Sequence, residues 1–159
     1  MLSGHEFTVG TLSDAKPLSL MLSRGRHEET FLVGQVEGLT AAVFLSGDYK
    51  FGVVEGSSAS HWSGLLIPNV RIEMDETSLF DPRSTDAKNG ALVRAGTELA
   101  IYAWWERSFG RASKVTLETG LPPTSDLAAG FSKWQAIIGE GVEKRLLFKV
   151  DASQVVRRS

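Results

Sequence analysis

The sequence predicts an all-β protein, mainly antiparallel, folded as a single-domain β-sandwich or closed β-barrel with at most one short helix. Short apolar runs alternate with turn residues about every 8 to 12 residues through the first third of the chain, the spacing of strands in sandwiches and barrels. Residues 70–75 then alternate apolar and charged side chains. This period of two is typical of a strand with one face on a core and one in water.

The composition is that of one folded soluble domain. The chain has 159 residues, of which 42% are hydrophobic and 23% are charged, so a core can form without disulfides or metals. We predict one domain over residues 1–152 and a short tail over residues 153–159. The absence of cysteine excludes disulfide frameworks, thiolate metal sites and cysteine nucleophiles.

The charge balance and the hydropathy of the chain predict its partners and its location. Lysine and arginine total 17 against 19 aspartates and glutamates, with no basic stripe, so we expect no nucleic-acid partner. The N-terminus has no basic segment followed by an apolar core, and no apolar run approaches the roughly 18 residues of a membrane span. We therefore predict a cytoplasmic protein with no membrane partner.

Five apolar runs in the first third of the chain predict strands. They cover residues 7–12, 18–22, 31–36, 39–45 and 49–54. The small, polar stretch at 56–63 predicts a loop. In the strand that follows, Pro68 is expected at a bulge, an edge or a break, because proline cannot donate a hydrogen bond to a sheet.

Residues 92–94 and 98–105 predict a hairpin, with Gly96 supplying a positive φ angle in the turn. The second of these strands is apolar on both faces. We therefore expect it to be the most buried strand, lying either centrally in the fold or against a partner. A further strand is predicted at 115–118.

Residues 125–139 fit two structures. Apolar side chains at spacings of four, three and four indicate a helix, whereas Gly130 costs a helix interior about 1 kcal/mol relative to alanine. We favour a short helical turn at 126–129, followed by a terminal hairpin of residues 134–138 with residues 142–150.

Glu73 and Asp75 are the first candidates for chemistry. The chain has no dinucleotide fingerprint, P-loop or serine elbow. On one strand these two carboxylates project to the same side about 7 Å apart, and such a pair can divide acid and base roles. The ordinary alternative is a solvated strand face on which Arg71 serves as an ion-pair partner.

An acidic, turn-rich segment follows this strand. It carries four potential oxygen ligands: Asp75, Glu76, Asp81 and Asp86. Calcium takes six to eight oxygen ligands and tolerates irregular loops, so calcium is the one cofactor that the sequence leaves open. The spacing does not match the helix-loop-helix calcium pattern, and a polar surface loop explains the same residues.

The remaining candidates are a histidine and a set of large side chains. His61 lies in the glycine- and serine-rich loop, where it fits either a general base or a surface residue. The candidate ligand-binding residues are Trp62, Arg71, Trp104 and Trp105. Tryptophans beside carboxylates hold sugar rings in β modules, although core packing or a subunit interface is the alternative.

Three functions remain open. The leading hypothesis is a non-enzymatic binding or assembly module, whose partner is a second copy, another protein, or a small-molecule or sugar ligand. The second is a small hydrolase or carbohydrate-active enzyme that uses Glu73 and Asp75. The third is a calcium-dependent carbohydrate-recognition domain.

Overall fold

The computed structural model describes residues 4, 6–24, 28–59, 61–83, 88–104, 112–118 and 128–152. Within them the protein is nearly all antiparallel sheet, which confirms the predicted all-β class. One four-residue helix, α1 (Gly56–Ala59), accompanies short 3-10 turns. The described strands are β1 (Thr8–Thr11), β2 (Leu20–Arg24), β3 (Glu28–Val36), β4 (Leu39–Phe44), β5 (Val53–Glu55), β6 (Ser63–Ile67), β7 (Arg71–Met74), β8 (Leu79–Phe80), β9 (Leu92–Ala95), β10 (Glu98–Trp104), β11 (Ala112–Glu118), β12 (Ala128–Phe131), β13 (Lys133–Ile138) and β14 (Arg145–Asp151).

The larger of two sheets has eleven described strands. Its main path runs β1-β6-β2-β3-β11-β10-β9-β12-β8, and β4 and β5 branch from it through β3. Strand β3 joins these parts, because it pairs with β2, β4 and β11. Across the described strands the path ends at β1 and at β8 without closing on itself.

The smaller sheet has the order β14-β13-β7. Both sheets contribute side chains to one hydrophobic core, an arrangement that favours the sandwich over the closed barrel. Its fully buried members include Leu32 and Val43 from the larger sheet and Trp134 and Ala136 from the smaller one. The alternation predicted at 70–75 is present in β7, where Ile72 and Met74 pack against this core.

A second core lies on the opposite face of β2, β3, β4 and β6. Phe31, Val33 and Phe44 point into it, whereas Leu32 and Val43, their neighbours in sequence, point into the main core. A 3-10 turn (Leu12–Asp14), α1 and the segment before β6 cover this face with apolar side chains from Leu12, Ala59 and Trp62.

The predicted hairpin at 92–105 is confirmed over its described residues. Strands β9 and β10 pair from Glu98 opposite Ala95, and Gly96 in the turn has φ +59°. Strand β10 lies between β9 and β11, and Ala100 and Ile101, which face opposite sides, are both fully buried. The position of β10 inside the sheet therefore accounts for its apolar character on both faces.

The predicted helical turn at 126–129 is wrong where it can be compared, because residues 128–129 belong to β12, and residues 126–127 lie outside the described part. Gly130 explains the strand: an added Cβ would lie 2.5 Å from the Phe80 ring, so glycine lets β8 and β12 pair closely. The terminal hairpin is confirmed as β13 paired with β14.

Two other boundaries differ from the sequence prediction. The strand expected at 49–54 is confined to β5, because Phe51 has φ +64° and buries its ring beside Gly90. The loop expected at 56–63 contains α1 and ends where β6 begins. Pro68 does lie at a break, between β6 and β7. The tail predicted at 153–159 lies outside the described residues.

Candidate functional site

Glu73 projects from β7 onto the outer face of the smaller sheet, opposite Gln135 of β13. The Gln135 Nε2 donates to Glu73 Oε1 at 3.0 Å, and the Lys144 Nζ donates to Oε2 at 2.8 Å. The bond from Lys144, with that from Gln135 second, holds the pKa of Glu73 below its ordinary value. Glu73 is therefore an ionised carboxylate at neutral pH, already bound by neighbours in its own chain.

Asp75 follows β7 and caps the 3-10 turn Glu76–Ser78. Its Oδ1 accepts hydrogen bonds from the Thr77 backbone N at 2.9 Å and from the Thr77 Oγ1 at 2.6 Å. These bonds lower the pKa of Asp75. Since the pKa of each carboxylate is lowered, neither Glu73 nor Asp75 is a proton donor at neutral pH, and the hydrolase hypothesis stays a prediction.

Arg71 lies on the same outer face, two residues before Glu73. Its guanidinium donates to the Gly139 carbonyl oxygen at the turn between β13 and β14. The charges of Arg71 and of Lys144 both favour the ionised form of Glu73. This region matches the solvated strand face that was the ordinary alternative, except that Lys144 rather than Arg71 is the ion-pair partner of Glu73.

The structure does not gather the three predicted calcium ligands that it describes, Asp75, Glu76 and Asp81, into one group. The Asp81 Oδ1 accepts from the Arg83 backbone N at 2.9 Å and pairs with the Arg83 side chain at 3.3 Å, which lowers the pKa of Asp81. Glu76 is exposed, and Asp86 lies outside the described residues. In the part of the chain that is described, no three His, Asp or Glu side chains form a group that could hold a metal ion. A calcium site that includes Asp86 stays a prediction.

The other candidates lie in separate environments. His61 is exposed in the turn between α1 and β6. Trp62 is half-buried and packs on the second core, with its ring centroid 5.5 Å from that of Phe31 and 6.1 Å from that of Phe44. Trp104 is half-buried at the end of β10, and Trp105 lies outside the described residues.

Trp134 has a structural role. It is 2% exposed, and its Nε1 donates to the Gly90 carbonyl oxygen at 2.7 Å. The contacts of both Trp62 and Trp134 are those of core packing, which for Trp62 was the alternative to sugar binding.

A groove that the sequence did not indicate lies at the end of the β3–β4 hairpin. It encloses about 300 Å³ and is lined by Ser13, residues 36–37, residues 39–41 and residues 55–57. We call it the hairpin groove. A volume of this size is at the lower end of the roughly 300–1,000 Å³ of small-molecule sites.

Two local features form the hairpin groove. Glu37 and Gly38 join β3 to β4 with φ angles of +52° and +79°, which indicates a type I′ turn with Val36 paired to Leu39. Gly56 begins α1 so close to β4 that an added Cβ would lie 2.8 Å from the Thr40 carbonyl oxygen.

The lining of the hairpin groove combines an apolar wall with acidic and hydroxyl groups. Val36, Leu39 and Ala41 supply the wall, and Leu39 is 73% exposed. Two carboxylates, Glu37 and Glu55, accompany the hydroxyls of Ser13, Thr40 and Ser57. Among its described lining residues there is no lysine or arginine.

Sequence reasoning missed this site because its parts are far apart along the chain. The one local signal is Glu37-Gly38 between two apolar runs, which marks a hairpin turn but says nothing of what packs beside it.

These features define the chain as an all-β domain with a small acidic groove beside a hairpin turn. The family model described as "Uncharacterised protein y4lG" matches residues 9–158, and the chain belongs to this family. It is 48% identical over 149 residues to "Uncharacterized protein y4lG" of Sinorhizobium fredii (strain NBRC 101917 / NGR234), which covers 94% of this chain and 92% of that relative. No solved structure matches the chain. No helix in the described part of the chain has the length and hydropathy needed to cross a membrane.

Proposed function

We propose that the protein is a non-enzymatic binding module that holds a small molecule in the hairpin groove. The observation that carries the proposal is the groove itself, about 300 Å³ with an apolar wall and a few polar groups. This combination is the usual composition of a small-molecule site, in which apolar contact gives affinity and polar groups fix orientation.

The surroundings of the hairpin groove support a preformed site. Strands β3 and β4 pair over six residues each, from Phe31 opposite Phe44 to Val36 opposite Leu39. Buried side chains of these strands anchor the hairpin in both hydrophobic cores. A site held on paired strands needs little ordering when a ligand binds, so more of the contact energy appears as affinity.

The environments of the two carboxylates predicted to act in catalysis support a non-enzymatic role. Glu73 and Asp75 accept hydrogen bonds from Lys144, Gln135 and Thr77, and these bonds favour their ionised forms. A general acid needs the opposite environment, one that raises its pKa toward neutrality.

Self-association is a weaker alternative, because β10, whose apolar faces first motivated it, lies between β9 and β11. A homo-oligomer stays a prediction that sedimentation at micromolar concentration would test.

Ser57 and Ser58 offer a matched pair of variants for testing the hairpin groove. Both serines are exposed on α1, but only Ser57 lines the groove. A small-molecule library is screened by the melting temperature of the wild-type protein, since a ligand at 100 times its dissociation constant adds about 2.7 kcal/mol to stability. We expect Ser57→Trp to abolish the response to each confirmed compound and Ser58→Trp to retain it.

Two results would contradict the proposal. One is that no compound raises the melting temperature of the wild-type protein. The other is that Ser57→Trp and Ser58→Trp respond equally, which would place the bound compound elsewhere on the protein.

A further inference from the structure

We propose that two copies of the protein pair through the outer edge of β7. Their three-stranded sheets then join into one continuous sheet with the order β14-β13-β7-β7-β13-β14. The two β7 strands run antiparallel about a two-fold axis at Ile72. This inference goes beyond the proposed function, because β7 includes no residue of the hairpin groove, and it concerns a different surface from the faces of β10.

The outer edge of β7 carries backbone groups with which no described strand pairs. The Asp75 backbone N donates to the Lys133 carbonyl oxygen at 2.9 Å, and Glu73 lies opposite Gln135 in the same ladder. In an antiparallel ladder, residues two apart turn their backbone groups to the same side, and the residue between them turns its groups away. The N–H and C=O groups of Ile72 therefore point away from β13, to the side on which β7 has no neighbour among the described strands.

The other edges of the described sheets are short or interrupted. Strands β5 and β8 have three and two residues. On β1, the Thr11 backbone N already donates to the Asp14 Oδ2 at 2.9 Å. The ladder between β13 and β14 has a register shift between Ala136 and Ile137, and such irregularities twist an edge away from a partner. The ladder of β7 is regular over its four residues, so β7 is the described edge best suited to pairing.

The charges of β7 favour a second copy of the same strand as the partner. Arg71 and Glu73 lie on one face, on either side of Ile72 in the sequence. When two β7 strands pair antiparallel about Ile72, each Arg71 lies directly opposite Glu73 of the second copy, and two ion pairs form across the axis. Centring the pair on Arg71 or on Glu73 would instead place like charges opposite each other. The strand is therefore complementary to itself in one register.

Both charged side chains have hydrogen-bonding capacity for this contact. The Arg71 guanidinium binds the Gly139 carbonyl oxygen, and a guanidinium has five N–H donors. The Glu73 carboxylate accepts from Gln135 and Lys144, and a carboxylate has about four acceptor sites. An ion pair between two copies therefore adds to the contacts within each copy and need not replace them.

The opposite face of β7 favours the same pairing. Ile72 and Met74 pack on the main core but are only half-buried, and β7 is the last strand of its described sheet. A second β7 strand alongside would bury more of both side chains and would place Ile72 opposite Ile72 of the second copy. The pairing involves one short strand from each copy, so we expect a weak dimer that depends on protein concentration.

Charge reversal tests the register of the pairing. Sedimentation velocity is measured on the full chain from about 1 μM to about 1 mM, and the wild-type protein should change from monomer to dimer over this range. Arg71→Glu and Glu73→Arg should each weaken dimerisation about tenfold, because each places like charges opposite each other twice. The double variant Arg71→Glu/Glu73→Arg restores both ion pairs and should dimerise like the wild-type protein.

Lys149→Glu is the matched control. It reverses the charge of an exposed basic residue on β14, at the opposite edge of the same sheet. This variant should dimerise like the wild-type protein. Urea midpoints establish that each variant is folded.

Amide hydrogen exchange locates the contact without any substitution. The Ile72 N–H points to the outer edge of β7, whereas the Glu73 N–H points to β13. We expect exchange at Ile72 in the wild-type protein to slow as the protein concentration rises through the range of dimerisation. The Glu73 N–H should be protected at every concentration.

Three results would overturn the inference. The first is a wild-type protein that stays a monomer at about 1 mM. The second is a dimer that the double variant weakens as much as the single variants do, or that Lys149→Glu weakens as much as Arg71→Glu does. The third is exchange at Ile72 that does not depend on concentration, which would place the contact elsewhere. This third result decides the question even if a charge-reversal variant fails to fold.

Discussion

Two regions of the protein each present a pair of carboxylates, and they differ in what lies beside those carboxylates. In the acidic segment, residues 73–81, Glu73 accepts from Lys144 and Gln135, and Asp75 accepts from Thr77. In the hairpin groove, Glu37 and Glu55 line a space of about 300 Å³ that no described lysine or arginine enters. The first pair lies on a strand face and in a turn, whereas the second pair lies beside a space that has the volume of a small-molecule site.

The largest expected loss of stability comes from a substitution in the core beneath the acidic segment. Trp134→Phe removes the hydrogen bond to the Gly90 carbonyl oxygen, which then stays buried without this donor, and it leaves a void. We expect the free energy of unfolding, measured in urea, to fall by about 2–4 kcal/mol. Gln135→Ala, one residue along β13 and facing outward, should cost less than about 1 kcal/mol. Equal losses in the two variants would contradict the described orientation of β13.

The next effect concerns the turn at the hairpin groove. Glu37→Asn relieves a left-handed backbone conformation, so the free energy of unfolding should rise by about 1 kcal/mol. Glu37→Gln is the control, because it removes the charge but keeps the strain, and its stability should not rise. A less stable Glu37→Asn variant would contradict the assignment of the turn.

Acid should destabilise the acidic segment. Hydrogen bonds lower the pKa of Glu73 and of Asp75 below their ordinary values of 4.5 and 3.8, so the unfolded state binds protons more readily than the folded state. This contribution is complete above the unfolded pKa values and is lost as pH falls below about 4.5.

We therefore expect Glu73→Gln to show a shallower loss of stability than the wild-type protein between about pH 5 and pH 3. Urea midpoints at each pH measure this slope. A Glu73→Gln slope equal to that of the wild-type protein would show that the bonds to Glu73 contribute nothing.

The smallest change in stability is expected when the ion pair between Glu73 and Lys144 is removed at neutral pH. The Glu73 and Lys144 side chains are each 41% exposed, so solvent screens their ion pair. Glu73→Gln and Lys144→Met should each change the melting temperature by a few degrees at most. If Glu73→Gln instead abolished a hydrolytic activity while the melting temperature stayed unchanged, the acidic segment would be an active site. The acidic segment, rather than the hairpin groove, would then be the functional region.

Patterns that act over a few residues were sufficient to predict much of the fold. Alternation located β7, and Gly96 located the β9–β10 turn. The errors arose where distant residues decide the local structure. Residues 128–129 are strand because β12 pairs with β8 and β9, and Phe51 leaves the predicted strand to bury its ring beside Gly90.

The candidate sites show the same limit. The acidic segment carries several carboxylates close together in sequence, but the described ones do not converge on one site in the fold. Asp75 is bound by Thr77 and Asp81 by Arg83, each only two residues away, which is how aspartates commonly stabilise turns. The hairpin groove is assembled from residue 13, residues 36–37, residues 39–41 and residues 55–57, which only the tertiary fold brings together.

A crystal structure of the protein soaked with a compound from the melting-temperature screen tests the proposed function most directly. We expect the compound in the hairpin groove, in contact with Leu39. A compound bound instead beside Glu73 or Asp75, with the hairpin groove empty, would contradict the proposed function.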